Sequence, residues 1–189
     1  MYLFFDTETT GLPKNWKAPV TDVNNWPRLV QIAYLYYDKD GKKIDGDDFI
    51  IKPEGFTIPA ESAKVHGIST ERAMEEGKPL SSVLNIFAEL IEESEFLVAH
   101  NISFDEKILG AEFHRNKMPN LIDKKKKICT MLSSVDFCAI PGPYGNKWPK
   151  LSELHIRLFG IDFNEAHNAA ADIGATASCF WELKRLGIL

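Results

Sequence analysis

No window of this chain approaches the about 18 uninterrupted apolar residues that a membrane-spanning helix needs, and no basic segment followed by an apolar stretch opens it. Neither a membrane partner nor a secretory leader is expected, and a cytoplasmic location is. Cysteine is scarce: Cys129, Cys138 and Cys179 are odd in number and none has CxxC spacing, which argues against a disulfide framework and a zinc site. A basic excess is also missing, with Lys and Arg at 22 against 27 Asp and Glu for a net charge of −5. Nucleic-acid-binding domains are usually basic. Two divalent ions at a carboxylate site would nevertheless bring the balance to −1, so charge excludes no phosphate-bearing substrate. The dense basic run Lys124–Lys127 reads as a solvated loop before a strand, or as a phosphate contact. Repeats and low-complexity segments are absent. The 189 residues, 44% hydrophobic and 26% charged, suit one domain over residues 1–189 with a sizeable core.

The pattern that is present begins at the N-terminus. Tyr2-Leu3-Phe4-Phe5 runs into Asp6-Thr7-Glu8 and then Thr9-Thr10-Gly11. An aromatic-rich apolar run suits a strand covered on both faces. Residues two apart on a strand point the same way, so Asp6 and Glu8 set two carboxylates about 7 Å apart on one face. Like charges this close raise each other's pKa unless a cation lies between them. Hard divalent cations such as Mg²⁺ or Mn²⁺ take such oxygen ligands.

Leu29–Tyr37 is a second strand, Asp38-Lys39-Asp40-Gly41 a turn, and Asp48–Ile51 the returning strand of a meander. Leu80, Val83, Leu84, Phe87, Leu90 and Ile91 recur at helical spacing, with Pro79 near the start. Phe96–Ala99 is a short strand that stops at His100-Asn101. A helix follows, signalled by the capping-box spacing of Ser103 and Glu106. Ile128–Met131 reads as another strand, and Leu151–Phe159 as a helix ended by Gly160. The last helix runs from about Asn168, its candidate N-cap, to Leu186, with Gly187 as its stop. Strands first, then strands alternating with helices, imply an α/β fold with a mixed sheet covered by helices. Pro13–Arg28 is a long polar loop with Trp16 and Trp26, and Pro141–Asn146 is a second irregular stretch.

Two further groups carry candidate chemistry. Asp105 falls in the first turn of a helix, where the helix N-terminus favours negative charge. His167 and Asp172 are five residues apart, about 140° around a helix, and act together only if His167 precedes the helix that holds Asp172.

Phe5-Asp6-Thr7-Glu8-Thr9-Thr10-Gly11, His100-Asn101 with Phe104-Asp105, and His167-x-Ala169-x-x-Asp172 resemble, in order and spacing, the three motifs of the DEDDh exonucleases. This is the DnaQ-like group typified by the proofreading epsilon subunit of bacterial DNA polymerase III. His66-Gly67-Ile68 also resembles a segment of that family and is read as structural. The resemblance implies the RNase H-like exonuclease fold, an antiparallel meander joined to parallel strands and flanked by helices. It implies two-metal hydrolysis of phosphodiester bonds from a 3′ end, releasing nucleoside 5′-monophosphates. Carried over by position, Asp6 bridges two Mg²⁺ or Mn²⁺ ions, Glu8 and Asp172 complete the tighter site, Asp105 supports the second, and His167 takes the proton from the attacking water. Thr7, Thr9, Gly11 and Leu12 correspond to residues that line the terminal-nucleotide pocket. Phe104 corresponds to a stacking or a core position, and Asn101 to a substrate contact or a helix cap.

The expected substrate is DNA, preferably single-stranded, in proofreading or repair. Relatives that act on RNA ends or short oligoribonucleotides share these motifs, so RNA stays open. A non-catalytic binding module should have lost one of the five site residues, and all five are present. The epsilon subunit contacts its polymerase through a tail, and this sequence stops at Leu189 just after the last helical stripe. A polymerase contact of that kind is therefore not expected, while action alone or binding through Pro13–Arg28 stays open. Trp16, Trp26, Tyr144 and Trp148 fall in irregular segments and suit either base stacking or burial.

Overall fold

The computed structural model describes residues 1–163 and 169–189. One mixed sheet organises them. Its strands are β1 (Tyr2–Thr9), β2 (Leu29–Tyr37), β3 (Lys43–Ile50), β4 (Phe96–Ala99) and β5 (Lys126–Cys129), in the spatial order β3-β2-β1-β4-β5. β1, β2 and β3 form an antiparallel meander, whereas β4 runs parallel to β1 and β5 parallel to β4. The apolar start of the chain thus becomes the central strand, and Leu3, Phe4 and Phe5 are at most 1% exposed. Burial of each such side chain contributes about 1.5–3 kcal/mol, which anchors the strand that carries the acids.

Alternation along β1 assigns its residues to two layers. Leu3 and Phe5 pack with α3 (Leu80–Glu93) and α4 (Ile102–Arg115), through Val83, Leu84, Phe87, Ile108 and Leu109. These two helices follow α1 (Ala60–His66) and α2 (Thr70–Glu76), which close a smaller cluster around Val30, Ile58, Ile68 and Ala73. Tyr2 and Phe4 face the other way. They pack against Ala169, Ile173, Ala177 and Phe180 of the last helix (Ala169–Arg185). Small residues at Ala169 and Ala177 bring that helix close to the sheet. Before it come α5 (Thr130–Ser133), α6 (Val135–Cys138), a two-residue hairpin of β6 (Pro141–Gly142) and β7 (Gly145–Asn146), and α7 (Leu151–Phe159); the last helix is α8. Cys138 and Cys179 lie in the cluster that joins α6, α7 and α8, and all three cysteines are free thiols. Burial pushes the Cys179 thiol up to about 12, which fits an inert core residue.

Four local expectations are corrected. β3 begins at Lys43 rather than Asp48; its outer half is exposed and charged, as suits a sheet edge, and so carries no apolar signal. The capping box of Ser103 and Glu106 does not form. Asn101 precedes the helix in the left-handed region at φ 69°, Ser103 Oγ donates to Asn101 Oδ1, and Glu106 pairs with Lys127 at 2.7 Å. The strand expected over Ile128–Met131 ends at Cys129, because Thr130 opens α5. The lysine run is partly strand, with Lys125, Lys126 and Lys127 bonded to Ser94 O, Glu95 and Glu106. His167, expected ahead of the last helix, and Asn168, expected as its cap, lie outside the described residues.

Candidate active site

The same alternation builds the acidic site. Asp6 and Glu8 continue the face of Tyr2 and Phe4, so they look toward α8, and Asp172 comes from the first turn of that helix. Carboxylate oxygens of Asp6, Glu8 and Asp172 all lie within 4.8 Å of one another. Thr7 points to the opposite layer and meets α4. Its backbone N–H and its hydroxyl both donate to Asp105 Oδ1, at 3.1 and 2.7 Å. Asp105 is 3% exposed in the first turn of α4. The pairing of β1 with β2 shifts register between Glu8 and Thr9, a bulge that ends the regular ladder at the acids.

The electrostatics are one-sided. Asp6 is raised well above the usual carboxylate range, by burial first and then by Asp105, Asp172 and Glu8. Glu8 is pushed up to about 8, again by burial first and then by Asp172 and Asp105. Burial also raises Asp105, while the two bonds from Thr7 pull it down. Among the described residues, no lysine or arginine ion pair reaches Asp6, Glu8 or Asp105. A donor set of carboxylate oxygens fits hard divalent cations.

Two clefts adjoin the acids. The first is lined by Asp6 and Asp172 together with His100, Lys150, Leu151, Ser152 and Phe163. His100 Nε2 lies 3.0 Å from Pro149 O and Nδ1 3.0 Å from Thr130 Oγ1. A carbonyl can only accept, so Nε2 carries the hydrogen and Nδ1 accepts from the threonine. Burial pushes His100 down to about 4, so the ring is neutral at ordinary pH. It ties the end of β4 to the approach of α7 and brings Lys150 to the cleft.

The second cleft is lined by Thr7, Glu8, Thr9, Gly11 and Leu12, with Phe104 from α4 and Ser62, Val65 and His66 from α1. It gathers five of the six positions implied as substrate-binding; Asn101 stays at the helix start, bonded to Ser103. Gly11 adopts φ 144°, and no atom lies within 4 Å of where a Cβ would stand, so backbone conformation rather than space calls for glycine there. Sequence reasoning missed Ser62, Val65 and His66 as lining residues. The available signal was His66-Gly67: Gly67 ends α1 in the left-handed region, and His66 Nδ1 accepts from Ile68 N–H at 3.2 Å. Among the described residues no helix is long and apolar enough to cross a membrane.

PolC-type DNA polymerase III of Streptococcus pyogenes is 35% identical over 120 residues, which is 64% of this chain and 7% of that polymerase. Escherichia coli exonuclease I, solved with a dA16 oligonucleotide, superimposes over 97% of this chain and 40% of its own, at a TM-score of 0.76 and 20% identity. Exonuclease I of Methylocaldum szegediense matches similarly, at a TM-score of 0.76 and 21% identity. The chain therefore spans well under half the length of these relatives, and the structural likeness establishes the RNase H-like fold. The family model described as RNase T exonuclease matches residues 3–180, and with nearly the whole length covered the chain belongs to the DnaQ-like exonuclease family.

Proposed function

We propose that this protein removes nucleotides one at a time from the 3′ end of single-stranded DNA, as a metal-dependent phosphodiester hydrolase that releases nucleoside 5′-monophosphates. The observation that carries the reading is the convergence of Asp6, Glu8, Asp105 and Asp172 from β1, α4 and α8, close enough that Asp105 and Asp172 both raise Asp6 and Glu8. These four residues would hold two divalent cations, Mg²⁺ or Mn²⁺. Bound cations supply charge stabilisation to the attacking and leaving oxygens of a phosphodiester. Asp6 and Glu8 aim the site along one face of β1, and Thr7 keeps Asp105 oriented from the other. His167 is the general base by its motif, since a neutral imidazole accepts a proton near neutral pH. The cleft of Thr9, Gly11, Leu12 and Phe104 receives the terminal nucleotide beside Glu8. The oligonucleotide bound to exonuclease I and the polymerase relatives favour DNA.

The test is a side-by-side assay on 3′-labelled and 5′-labelled single-stranded DNA and RNA in Mg²⁺, with Asp6→Ala as control. Stepwise loss from the 3′ end of DNA, abolished by Asp6→Ala and by chelation, is expected. RNA cleavage about ten times faster than DNA cleavage would overturn the DNA assignment, and activity that persists in Asp6→Ala would overturn the site.

A further inference from the structure

The loop between β1 and β2 carries, near its start, an exposed tryptophan that the reaction above does not use. Residues 13–28 are stapled. Asn15 and Asn25 exchange two bonds, Asn15 N–H to Asn25 Oδ1 at 2.7 Å and Asn25 Nδ2 to Asn15 O at 2.9 Å. Trp26 is buried in the main core, and its Nε1 donates to Pro19 O. Arg115 of α4 reaches the carbonyls of Val23 and Trp26. A loop held this way loses little further entropy when it binds something.

Trp16 is presented by that frame. Lys107 Nζ donates to Trp16 O at 2.9 Å, and the indole lies 5.7 Å from the Phe104 ring at a 46° tilt. Phe104 lines the second cleft, so Trp16 extends its aromatic wall outward. The indole remains 47% exposed beside a rim where Leu12 is 73% and Val65 56% exposed. Large apolar side chains gathered at the mouth of a cleft mark a surface that is covered in use. Exposed Lys14 and Lys17 flank the indole in sequence, placing cations on a loop of an otherwise acidic chain. Aromatic faces interleaved with lysine are the chemistry that holds single-stranded nucleic acid, bases on the ring and phosphates on the cations.

We propose that Trp16 stacks on the base of the nucleotide immediately 5′ to the one held in the Phe104 cleft, making the loop a second subsite that binds the penultimate nucleotide of a single strand. The inference rests on the exonuclease reading given above. A base stacked on Trp16 has left its partner strand, so the same contact favours frayed or single-stranded ends over paired ones.

The test compares the p-nitrophenyl ester of thymidine 5′-monophosphate, which has no upstream base, with a single-stranded oligodeoxynucleotide and with the same oligonucleotide made abasic at the penultimate position. Trp16→Ala should raise KM on the intact oligonucleotide by about 5- to 150-fold, the range that alanine costs at a stacking position. Trp16→Phe should recover most of the loss, and KM on the one-nucleotide ester should move less than about twofold in either variant. The abasic strand should abolish the difference between wild type and Trp16→Ala. Equal KM for Trp16→Ala and wild type on the intact oligonucleotide overturns the subsite. An equal loss on the nitrophenyl ester also overturns it, because Trp16 would then merely support Phe104. Wild-type protein inert on both substrates refutes the exonuclease reading itself, and this inference with it.

Discussion

Replacing Thr7 by Val removes one hydroxyl from the site and leaves its shape unchanged. Thr7 Oγ1 donates to Asp105 Oδ1 at 2.7 Å, and the backbone N–H of the same residue donates at 3.1 Å. The valine keeps the second bond and loses the first. A hydrogen bond to a charged group is worth about 1.5–3 kcal/mol, or ~10- to 100-fold in an equilibrium. Both bonds hold Asp105 toward its ionised form against the burial that raises it. Without the hydroxyl, Asp105 takes up a proton more readily and turns more freely. It should therefore be a poorer ligand, in line with the ~10- to 100-fold cost of losing a group that orients a metal-binding carboxylate. The assay is a Mg²⁺ titration of the cleavage of a fluorescent single-stranded oligonucleotide. The half-saturating Mg²⁺ concentration should rise about tenfold or more, with part of the rate recovered at high Mg²⁺. Thr7→Ser should behave like the wild type. Rates and Mg²⁺ dependence within about twofold of wild type for Thr7→Val would refute the argument that Thr7 orients Asp105.

Three more outcomes are expected. Glu112 is fully buried and accepts from Arg28, Arg115 and Leu29 N–H through one oxygen. Glu112→Gln should cost about 3 kcal/mol, the low end for a broken buried pair because the Arg28 side chain keeps 27% exposure; urea unfolding reads it, and a loss below about 1 kcal/mol contradicts it. In metal-free protein the raised Asp6 and Glu8 contribute stability that is fully present below their unfolded pKa values and is lost as pH climbs through the folded ones, about 8 for Glu8. In chelator the melting temperature should therefore fall between about pH 6 and about pH 8.5, and Mn²⁺ should raise it more at the higher pH; equal shifts at both would count against a cation among these acids. His167→Ala should slow cleavage by ~10²–10⁴-fold while leaving the Mn²⁺-induced rise in melting temperature, and unchanged turnover would remove His167 from the mechanism.

Apolar periodicity marks β1, β2, β4 and α3 because each buries an unbroken face or stripe, and α7 by a stripe of which Leu154 is buried and Leu151 and Leu158 are half-buried. The outer half of β3 escaped because Lys43–Asp47 pairs with β2 through backbone while its side chains face water. α1 escaped for the opposite reason: seven residues are too few to show a period, and His66 is its buried residue. The acids of β1 were legible as a pair because period-two geometry is local. That Thr7 would grip Asp105 was not, because those residues are 98 positions apart and meet only after β1 and α4 are packed. The motif marks Thr7 as a pocket residue; it lines the cleft and also orients an acid. Trp16 and Trp26 looked alike in sequence, and tertiary context separated them into a rim residue and a core residue.

The route of the chain through the sheet also orders events during synthesis. Asp6 and Glu8 emerge from the ribosome first, Asp105 follows, and Asp172 arrives on the helix that covers Tyr2 and Phe4. Until that helix is made, the outer face of β1 is bare and one carboxylate is missing. Chains fold from the N-terminus as they emerge, so a partly translated copy holds three of the four acids and still cannot assemble the site. If the four acids form the proposed site, it is complete only once α8 docks, and a copy that stops short of Asp172 should lack activity.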